Sequence, residues 1–179
     1  MTLSNKDMLQ ILEATKFPKN KGRTNILQKG QTYSTSMVLG KVRKLYSSCD
    51  GKVCKVESRN NEKYPILLKA SKQFLRENTN YKFEAVTINK NQRAAKHVDK
   101  NNKGHSYIIG LGNYTGGELV FTDKASPNYG VHNIKNKWLK FVGDTPHYVK
   151  PFKGTRYTLV HYHWSWYNGN YHQKKLFIN

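Results

Sequence analysis

Two stretches in the first eighty residues space their apolar side chains as an amphipathic helix does. One covers residues 7–16, with Asn5 available as an N-cap, and the other covers residues 64–78, with Pro65 suited to a first helical turn. The apolar positions are Met8, Ile11 and Leu12 in the first stretch and Leu67, Leu68, Phe74 and Leu75 in the second. The pattern therefore predicts two helices in the N-terminal part of the chain.

Alternating, β-rich runs dominate the rest of the chain. A run at 34–45 predicts one strand before residue 81. Eight shorter runs, separated by Gly-containing turns, follow at 83–88, 94–98, 106–111, 118–121, 131–134, 137–141, 147–149 and 156–163. Short strands at this spacing predict a mainly β fold with flanking helices, of the α+β class, built on a sandwich or jelly roll. We expect a single domain over 1–179, in which 1–80 gives helical and strand support to a core at 81–179.

Composition agrees with a folded protein whose core is rich in aromatic residues. Hydrophobic residues make up 37% of the 179 residues, and mean hydropathy is -0.79. The 12 Tyr, 7 Phe and 3 Trp compensate, because each buries a large area. The chain has no secretory apolar segment and no apolar run of about 18 residues, so we expect an intracellular protein that is neither secreted nor membrane-bound.

Cys49 and Cys54 lie on either side of an Asp50-Gly51 turn. Their spacing could be half of a zinc site, but the sequence holds no second cysteine pair. Free thiols are the favoured interpretation.

Positive charge is spread over the whole chain. The net charge is +20, and residues 1–80 and 81–179 each contribute +10. An even distribution favours a broad surface that faces a polyanion, since lysine and arginine neutralise phosphates. The alternative is a lysine coat that only keeps the protein in solution.

His97 and Asp99 form an H-x-D motif in one of the predicted strands. Side chains two residues apart on a strand point the same way, so one metal ion could bind both. Fe(II) oxygenases use two histidines and one carboxylate on one side of the metal. His147, at the start of the predicted 147–149 strand, is the candidate for the second histidine. On the last predicted strand, His161 and His163 point to the face opposite to that of residues 156 and 158, so they should face away from such a site.

Arg156 and Thr158 follow His147 and share one face of the last predicted strand. A guanidinium can bind a carboxylate through two hydrogen bonds, and a hydroxyl adds a further donor. This pair is therefore a candidate carboxylate-binding site.

The order of these residues resembles the 2-oxoglutarate/Fe(II) oxygenase superfamily. The motif is H-x-D, then a distal His, then Arg nine residues later within R-x-[S/T]. The stretch INKNQRAAKHVDKNNKGHSYIIGLGNYTGGELVF resembles small oxygenases of phages, large DNA viruses and protists, near the TET and base-J hydroxylase group that oxidises the methyl of thymine or 5-methylcytosine. The likeness covers residues 81–163 well and the first eighty loosely.

The resemblance implies a double-stranded β-helix core and a role for each motif residue. His97, Asp99 and His147 would be the catalytic Fe(II) ligands. Arg156, assisted by Thr158, would bind the distal carboxylate of 2-oxoglutarate, whose other end chelates iron. Asn89 could touch this co-substrate or only shape a turn. With O2, such enzymes hydroxylate a C–H bond and release succinate and CO2.

The substrate stays open at this point. A nucleic-acid base, in DNA more than in RNA, fits the charge, and the phosphate backbone would approach the cations beside the motif. Those cations are Arg93, Lys96, Lys100 and Lys103, with Lys90 nearby. A protein substrate (a prolyl or lysyl hydroxylase) and a non-catalytic nucleic-acid-binding module are the alternatives. If the protein is viral, the host cytoplasm or nucleus is the expected location; the sequence is silent on oligomeric state.

Overall fold

The computed structural model describes residues 2–45 and 53–164, without the side chains of residues 43–45, 53 and 54. The interpretations of Cys49, of the Asp50-Gly51 turn and of the Cys54 thiol lie outside the described part. The helices are α1 (Asn5–Glu13), α2 (Asn60–Lys63) and α3 (Pro65–Asn78). The strands are β1 (Lys19–Asn20), β2 (Ser34–Leu45), β3 (Val53–Glu57), β4 (Ala85–Lys90), β5 (Asn102–Leu111), β6 (Tyr114–Gly116), β7 (Leu119–Phe121), β8 (Gly130–His132), β9 (Leu139–Val142), β10 (His147–Val149), β11 (Phe152–Gly154) and β12 (Tyr157–Trp164).

A large antiparallel sheet carries the fold. Its strand order is β1-β2-β4-β12-β5-β9, and β3 pairs with the far half of β2. The pairing of β2 with β4 joins the first eighty residues to the core, with Val38 opposite Thr87. The prediction of a single domain over 1–179 stays a prediction.

The two faces of the large sheet have different partners. On β12, Tyr157 and Leu159 point to one face and pack with Met8 and Phe74 of the helices. The intervening Thr158, Val160 and Tyr162 line a cavity on the other face. This alternation follows from the two-residue period of a strand, and it places every second side chain of the central strands in the cavity wall.

A smaller antiparallel sheet covers the cavity face. Its order is β10-β7-β8, and β6 and β11, which are distant in sequence, form a separate two-stranded antiparallel sheet. Apolar side chains of both sheets form a second core, which includes Ile108, Leu119, Phe121, Phe141 and Val149. Two antiparallel sheets that face each other, with helices outside the larger one, confirm the predicted jelly-roll architecture. Within the described residues, no helix is both long enough and apolar enough to cross a membrane.

Helix α1 corrects the predicted N-cap. Ser4, not Asn5, caps the helix: its hydroxyl accepts from the Asp7 backbone N–H, and the Asp7 carboxylate accepts from the Ser4 N–H. This reciprocal pair is a capping box, so the helix begins earlier than predicted. It also ends at Glu13 rather than residue 16, with Ala14 as its C-cap.

The segment at 94–98 is not a strand, against the prediction. Within it only His97 pairs, in an isolated antiparallel bridge with His147. The backbone N–H of Ala95 donates instead to the carbonyl oxygen of Ile26 at 2.9 Å, which interrupts the ladder. The other eight predicted strands are present: those at 34–45 and 147–149 have the predicted bounds, and the ends of the other six are shifted by up to four residues. The short strands β1, β3, β6 and β11 were not predicted; three of them have only two or three residues, too few to show an alternating pattern.

Candidate metal centre and its cavity

A backbone bridge holds His97 against His147. The N–H of each residue donates to the carbonyl of the other, both at 2.9 Å. His147 begins β10, which pairs on its other side with β7. The two imidazole centroids lie 4.3 Å apart. Residues fifty positions apart are thus brought together by the edge of the small sheet.

Each imidazole uses one nitrogen for orientation and leaves the other for a ligand. His97 Nδ1 lies 2.8 Å from the carbonyl oxygen of Ala95, and His147 Nδ1 lies 2.7 Å from that of Thr145. Because a carbonyl only accepts, Nδ1 carries the proton in both rings, and the Nε2 lone pair is available. Such a bond to the non-ligating nitrogen is how metal-binding histidines are oriented.

Asp99 completes a three-residue cluster. One carboxylate oxygen lies 3.6 Å from His97 Nε2, and the other lies 3.9 Å from His147 Nε2. All the candidate ligand atoms fall within 4.8 Å of one another. The Asp99 N–H donates to the carbonyl of Gly143 at 2.7 Å, which fixes the aspartate in place. Three donors at this separation match the two-histidine, one-carboxylate set of a non-haem iron site.

The surroundings of His97 favour its neutral form. Burial lowers the pKa of His97, and the neighbouring His147 lowers it further, although Asp99 opposes them. A neutral imidazole is the form that binds metal. The local electrostatics therefore agree with a ligand role.

Arg156 enters the same cavity as a buried and incompletely satisfied cation. Its side chain is 2% exposed, and burial lowers its pKa. One terminal nitrogen donates to the carbonyl of Gly117 at 3.1 Å, and the guanidinium lies 5.5 Å from the ring centroids of Tyr114 and Phe152. Its Nε has no hydrogen-bond partner, and no carboxylate among the described residues forms an ion pair with it. A buried guanidinium without a counter-ion is an incomplete anion-binding site.

Thr158 and Asn89 are cross-strand neighbours in the large sheet. The Asn89 amide donates to the Thr158 hydroxyl at 3.0 Å, while its oxygen accepts from the Arg23 guanidinium at 3.2 Å. Because the Thr158 oxygen accepts here, its own proton is available to another acceptor. Arg23, Asn89 and Thr158 form one hydrogen-bonded row along the cavity wall.

The cavity measures about 650 Å³ and brings most of the predicted site together. It is lined by His97, Asp99, His147, Arg156, Thr158 and Asn89. Apolar side chains such as Val160 and Leu119 fill the spaces between the polar groups. A concave site in which polar side chains converge between apolar ones is the usual form of a small-molecule site.

The four cations predicted to contact a nucleic-acid backbone lie in three different places. Lys96 and Lys100 are exposed and lie at the cavity. Lys103 is exposed but lines a different cavity. Arg93 is exposed and lines neither of these two cavities. Lys90 lies 5.6 Å from the centroid of the Tyr157 ring, on the helix-covered face of the sheet, so it is not beside the metal-centre cavity.

His161 and His163, the pair that the sequence predicts to face away from the metal, lie away from the centre. His161 is fully buried on the helix side, 4.7 Å from the Phe83 ring centroid and 5.7 Å from that of Trp138. His163 has an ion-pair contact with Glu84 at 3.5 Å. Strand parity predicted both orientations correctly.

Arg23 is a cavity residue that the sequence did not reveal. It precedes a short 3-10 helix, Thr24–Ile26, and is one of many cations in the first eighty residues. No motif marks it, because its position depends on contacts across the fold, above all with Asn89.

No family model and no curated protein sequence matches the chain. Solved structures do. The structure described as NgTET1 in complex with 5mC DNA aligns with a TM-score of 0.52 and 16% identity over 73% of this chain and 61% of that chain, so the aligned part is less than two thirds of that protein. An oxidoreductase of the 2OG-Fe(II) oxygenase family from Burkholderia pseudomallei aligns with a TM-score of 0.54 and 19% identity over 90% of this chain and 80% of that one. The chain therefore has the fold of the 2-oxoglutarate/Fe(II) oxygenases, as its motifs indicated.

Proposed function

We propose that the chain is a 2-oxoglutarate/Fe(II)-dependent dioxygenase that hydroxylates a C–H bond of a nucleic-acid base. The observation that carries this proposal is the joint presence, in one cavity, of the His97, Asp99 and His147 cluster and the buried Arg156 without a counter-ion. A metal centre alone would fit many functions. A metal centre with a carboxylate-binding cation in the same cavity fits a metal-chelating keto-acid.

The donor set fits Fe(II). Two imidazoles and one carboxylate are the donor set of non-haem Fe(II) sites, which keep positions open for exchangeable ligands. Fixed Nδ1 protons at His97 and His147 hold their Nε2 atoms ready, so little reorganisation is needed when metal binds. His97, Asp99 and His147 would hold the ion.

The anion site fits the distal carboxylate of 2-oxoglutarate. Arg156 supplies a charged donor at Nε, and Thr158 supplies a hydroxyl proton. Asn89 orients Thr158, and its bond to Arg23 fixes the direction of the amide. A bound dicarboxylate would compensate the buried charge of Arg156.

Iron with this co-substrate and O2 supplies the oxidising power for hydroxylation, with succinate and CO2 as the other products. The chain itself contributes orientation and exclusion of water. Apolar side chains of the wall, including Val160, Leu119 and Ile108, would limit the access of water to the space between a bound metal and Arg156. Exclusion of water strengthens the charge interactions inside the cavity.

A nucleic-acid substrate is supported by charge and by position. The net charge is +20, and exposed Lys96 and Lys100 lie where the cavity meets the surface. A base would have to leave its stack to reach the metal, as in other enzymes that modify bases. The methyl of thymine or 5-methylcytosine, or an alkyl adduct, is the proposed target, in DNA before RNA. Because iron, 2-oxoglutarate and nucleic acid occur together inside cells, the proposal includes an intracellular location.

The test is succinate release with purified protein, Fe(II) and 2-oxoglutarate. We expect stimulation by a methylated oligonucleotide above the rate without substrate, and loss of that stimulation in His97→Ala. His132→Ala is the matched control, because His132 Nε2 contacts the carbonyl of Asn128 and lies outside the cavity.

Two other outcomes would replace the proposal. Stimulation by peptides alone would identify a protein hydroxylase. Salt-sensitive DNA binding without metal binding would identify a nucleic-acid-binding module. Turnover that survives His97→Ala would show that the metal assignment is wrong.

A further inference from the structure

A second cavity, of about 600 Å³, adjoins the proposed active site and has no part in the metal chemistry. Five aromatic side chains line it: Tyr81, His105, Tyr107, His163 and Trp164. Three lysines also line it, of which Lys103 and Lys140 are exposed. Aromatic surface together with positive charge is the composition of a site for unpaired nucleotides, in which bases stack and phosphates are neutralised.

The aromatic residues are held in place. The ring centroids of Tyr81 and Tyr107 lie 4.8 Å apart, and the edge of His163 packs 5.3 Å from Tyr81. The Tyr81 hydroxyl donates to the carbonyl of His105 at 2.5 Å. A fixed aromatic surface binds a base with little loss of side-chain freedom.

Trp164 lies in the wall of both cavities. Its indole N–H donates to the carbonyl of Lys41 at 2.6 Å, and its backbone N–H donates to the Glu84 carboxylate at 3.0 Å. Trp164 pairs with Asn102 of β5, where Lys100, in the preceding turn, lies at the first cavity and Lys103, on the strand, lies at the second. A strand that places one base at the metal could therefore continue past Trp164 into the second cavity.

The only carboxylate that lines the second cavity within the described residues is already paired. Glu84 contacts Lys55 at 2.5 Å and His163 at 3.5 Å. Its charge is compensated locally, so a phosphate would meet mainly Lys103 and Lys140. An acidic peptide would satisfy these lysines but would not use the aromatic surface.

We propose that the second cavity binds an unpaired nucleotide next to the target base, by stacking on the Tyr81 and Tyr107 cluster and by phosphate contacts to Lys103 and Lys140. The inference rests on the proposed function, and it deepens that function by assigning a single-stranded or locally opened substrate. DNA and RNA share this chemistry, so both are included in the test.

The test measures binding in the absence of 2-oxoglutarate, so that turnover cannot intervene. The probes are single-stranded DNA and RNA oligonucleotides that carry 2-aminopurine, whose fluorescence falls on stacking. We expect quenching with the wild-type protein and affinity lower by about 5- to 100-fold in Tyr81→Leu, the range for the loss of one stacked base. Tyr81→Phe keeps the ring and should bind as the wild type does. Thermal unfolding of Tyr81→Leu shows whether it is folded.

Substitution of two lysines provides a second test that does not disturb the aromatic packing. We expect the Lys103→Gln and Lys140→Gln double variant to lower the dependence of log affinity on log salt by about 1.4, two phosphates at about 0.7 each for a single strand. The Lys124→Gln and Lys153→Gln double variant removes the same charge from exposed lysines that line neither cavity, and should leave the slope unchanged.

Three results would overturn the inference. The first is equal affinity for a blunt duplex and for a single strand, and the second is an equal decrease of the salt slope in the two double-lysine variants. The third is binding of the probe without quenching of its fluorescence, with polyglutamate able to displace it. Its failure is distinguishable from failure of the proposed function. Quenching without base oxidation would retain the second cavity as a nucleotide site and refute the enzyme. Base oxidation that Tyr81→Leu leaves unaltered would retain the enzyme and refute the second cavity.

Discussion

Replacing Arg156 by methionine separates the cost of a buried charge from its use in binding. The guanidinium is 2% exposed and has one hydrogen bond, to Gly117, and two aromatic contacts as compensation. Those contacts together contribute about 2–4 kcal/mol, while burial of an unpaired charge costs several kcal/mol. Arg156→Met should therefore be as stable as the wild type, or more stable by up to about 2 kcal/mol, when no ligand is present.

When 2-oxoglutarate is added, the wild-type protein should become more stable than Arg156→Met. At a ligand concentration of 100 times Kd, the wild-type protein gains about 2.7 kcal/mol of unfolding free energy. Loss of one partner of a buried charge pair costs about 2–5 kcal/mol of binding, which weakens Kd by roughly 30-fold or more. Arg156→Met should then gain at most about 0.9 kcal/mol from the same concentration.

Urea unfolding in the presence of Mn(II), which replaces Fe(II) without turnover, measures the free energy of unfolding with and without 2-oxoglutarate. Lys153→Met is the control, because it removes an exposed cation that does not line the cavity. A loss of more than about 3 kcal/mol in ligand-free Arg156→Met would show that the arginine mainly supports the fold. A ligand-dependent gain equal to that of the wild type would refute the carboxylate-binding role.

Three further substitutions address the metal, the hydrogen-bonded row and acid stability. In Gly143→Ala the new Cβ would lie 3.0 Å from that of Asp99, so Mn(II) affinity measured by calorimetry should fall about 10- to 100-fold. Gly22→Ala, with only one contact at 3.4 Å, should not change it. Asn89→Ala frees Thr158 and Arg23, so it should weaken 2-oxoglutarate binding about 10-fold while Mn(II) affinity stays within twofold. Burial lowers the pKa of His161 to about 3 in the folded protein. As the pH falls from about 6.5 to 3, only the unfolded chain therefore binds a proton at this residue. The free energy of unfolding decreases by up to ~1.4 kcal/mol per pH unit as a result. In His161→Phe that loss should vanish, so the free energy of unfolding of the variant should rise relative to that of the wild type as the pH falls from 7 to 4.5. Urea unfolding measures both proteins at the two pH values, and the same difference between them at each pH would contradict this.

The sequence was sufficient to select the candidate ligands because their spacing follows a recognisable motif. His97 and Asp99 are two residues apart, and the spacing of His147, Arg156 and Thr158 repeats a known order. The structure brings these five residues into one cavity, although the reason given for His97 and Asp99 was incomplete. Residues 94–98 do not form a strand, and the two side chains converge through separate backbone contacts to His147 and Gly143.

What the sequence could not reveal depends on distant packing. Arg23 reaches the cavity only because the segment before β2 lies against β4, and no periodicity describes that contact. The N-cap was predicted at Asn5, one residue late, although Ser4 and Asp7 have the spacing of a capping box. The cations beside the motif looked alike in sequence. Their separation into Lys96 and Lys100 at one cavity and Lys103 at another follows from the turn between Asp99 and β5.

Mass spectrometry of nucleosides tests the central claim most directly. The protein would be incubated with Fe(II), 2-oxoglutarate, O2 and methylated single-stranded or duplex oligonucleotides, in DNA and RNA forms, and then digested. The account predicts a modified nucleoside that carries one added oxygen, or the dealkylated base, in amounts equal to succinate and absent with Arg156→Met. Succinate formation without any change in the nucleosides of either nucleic acid would contradict it.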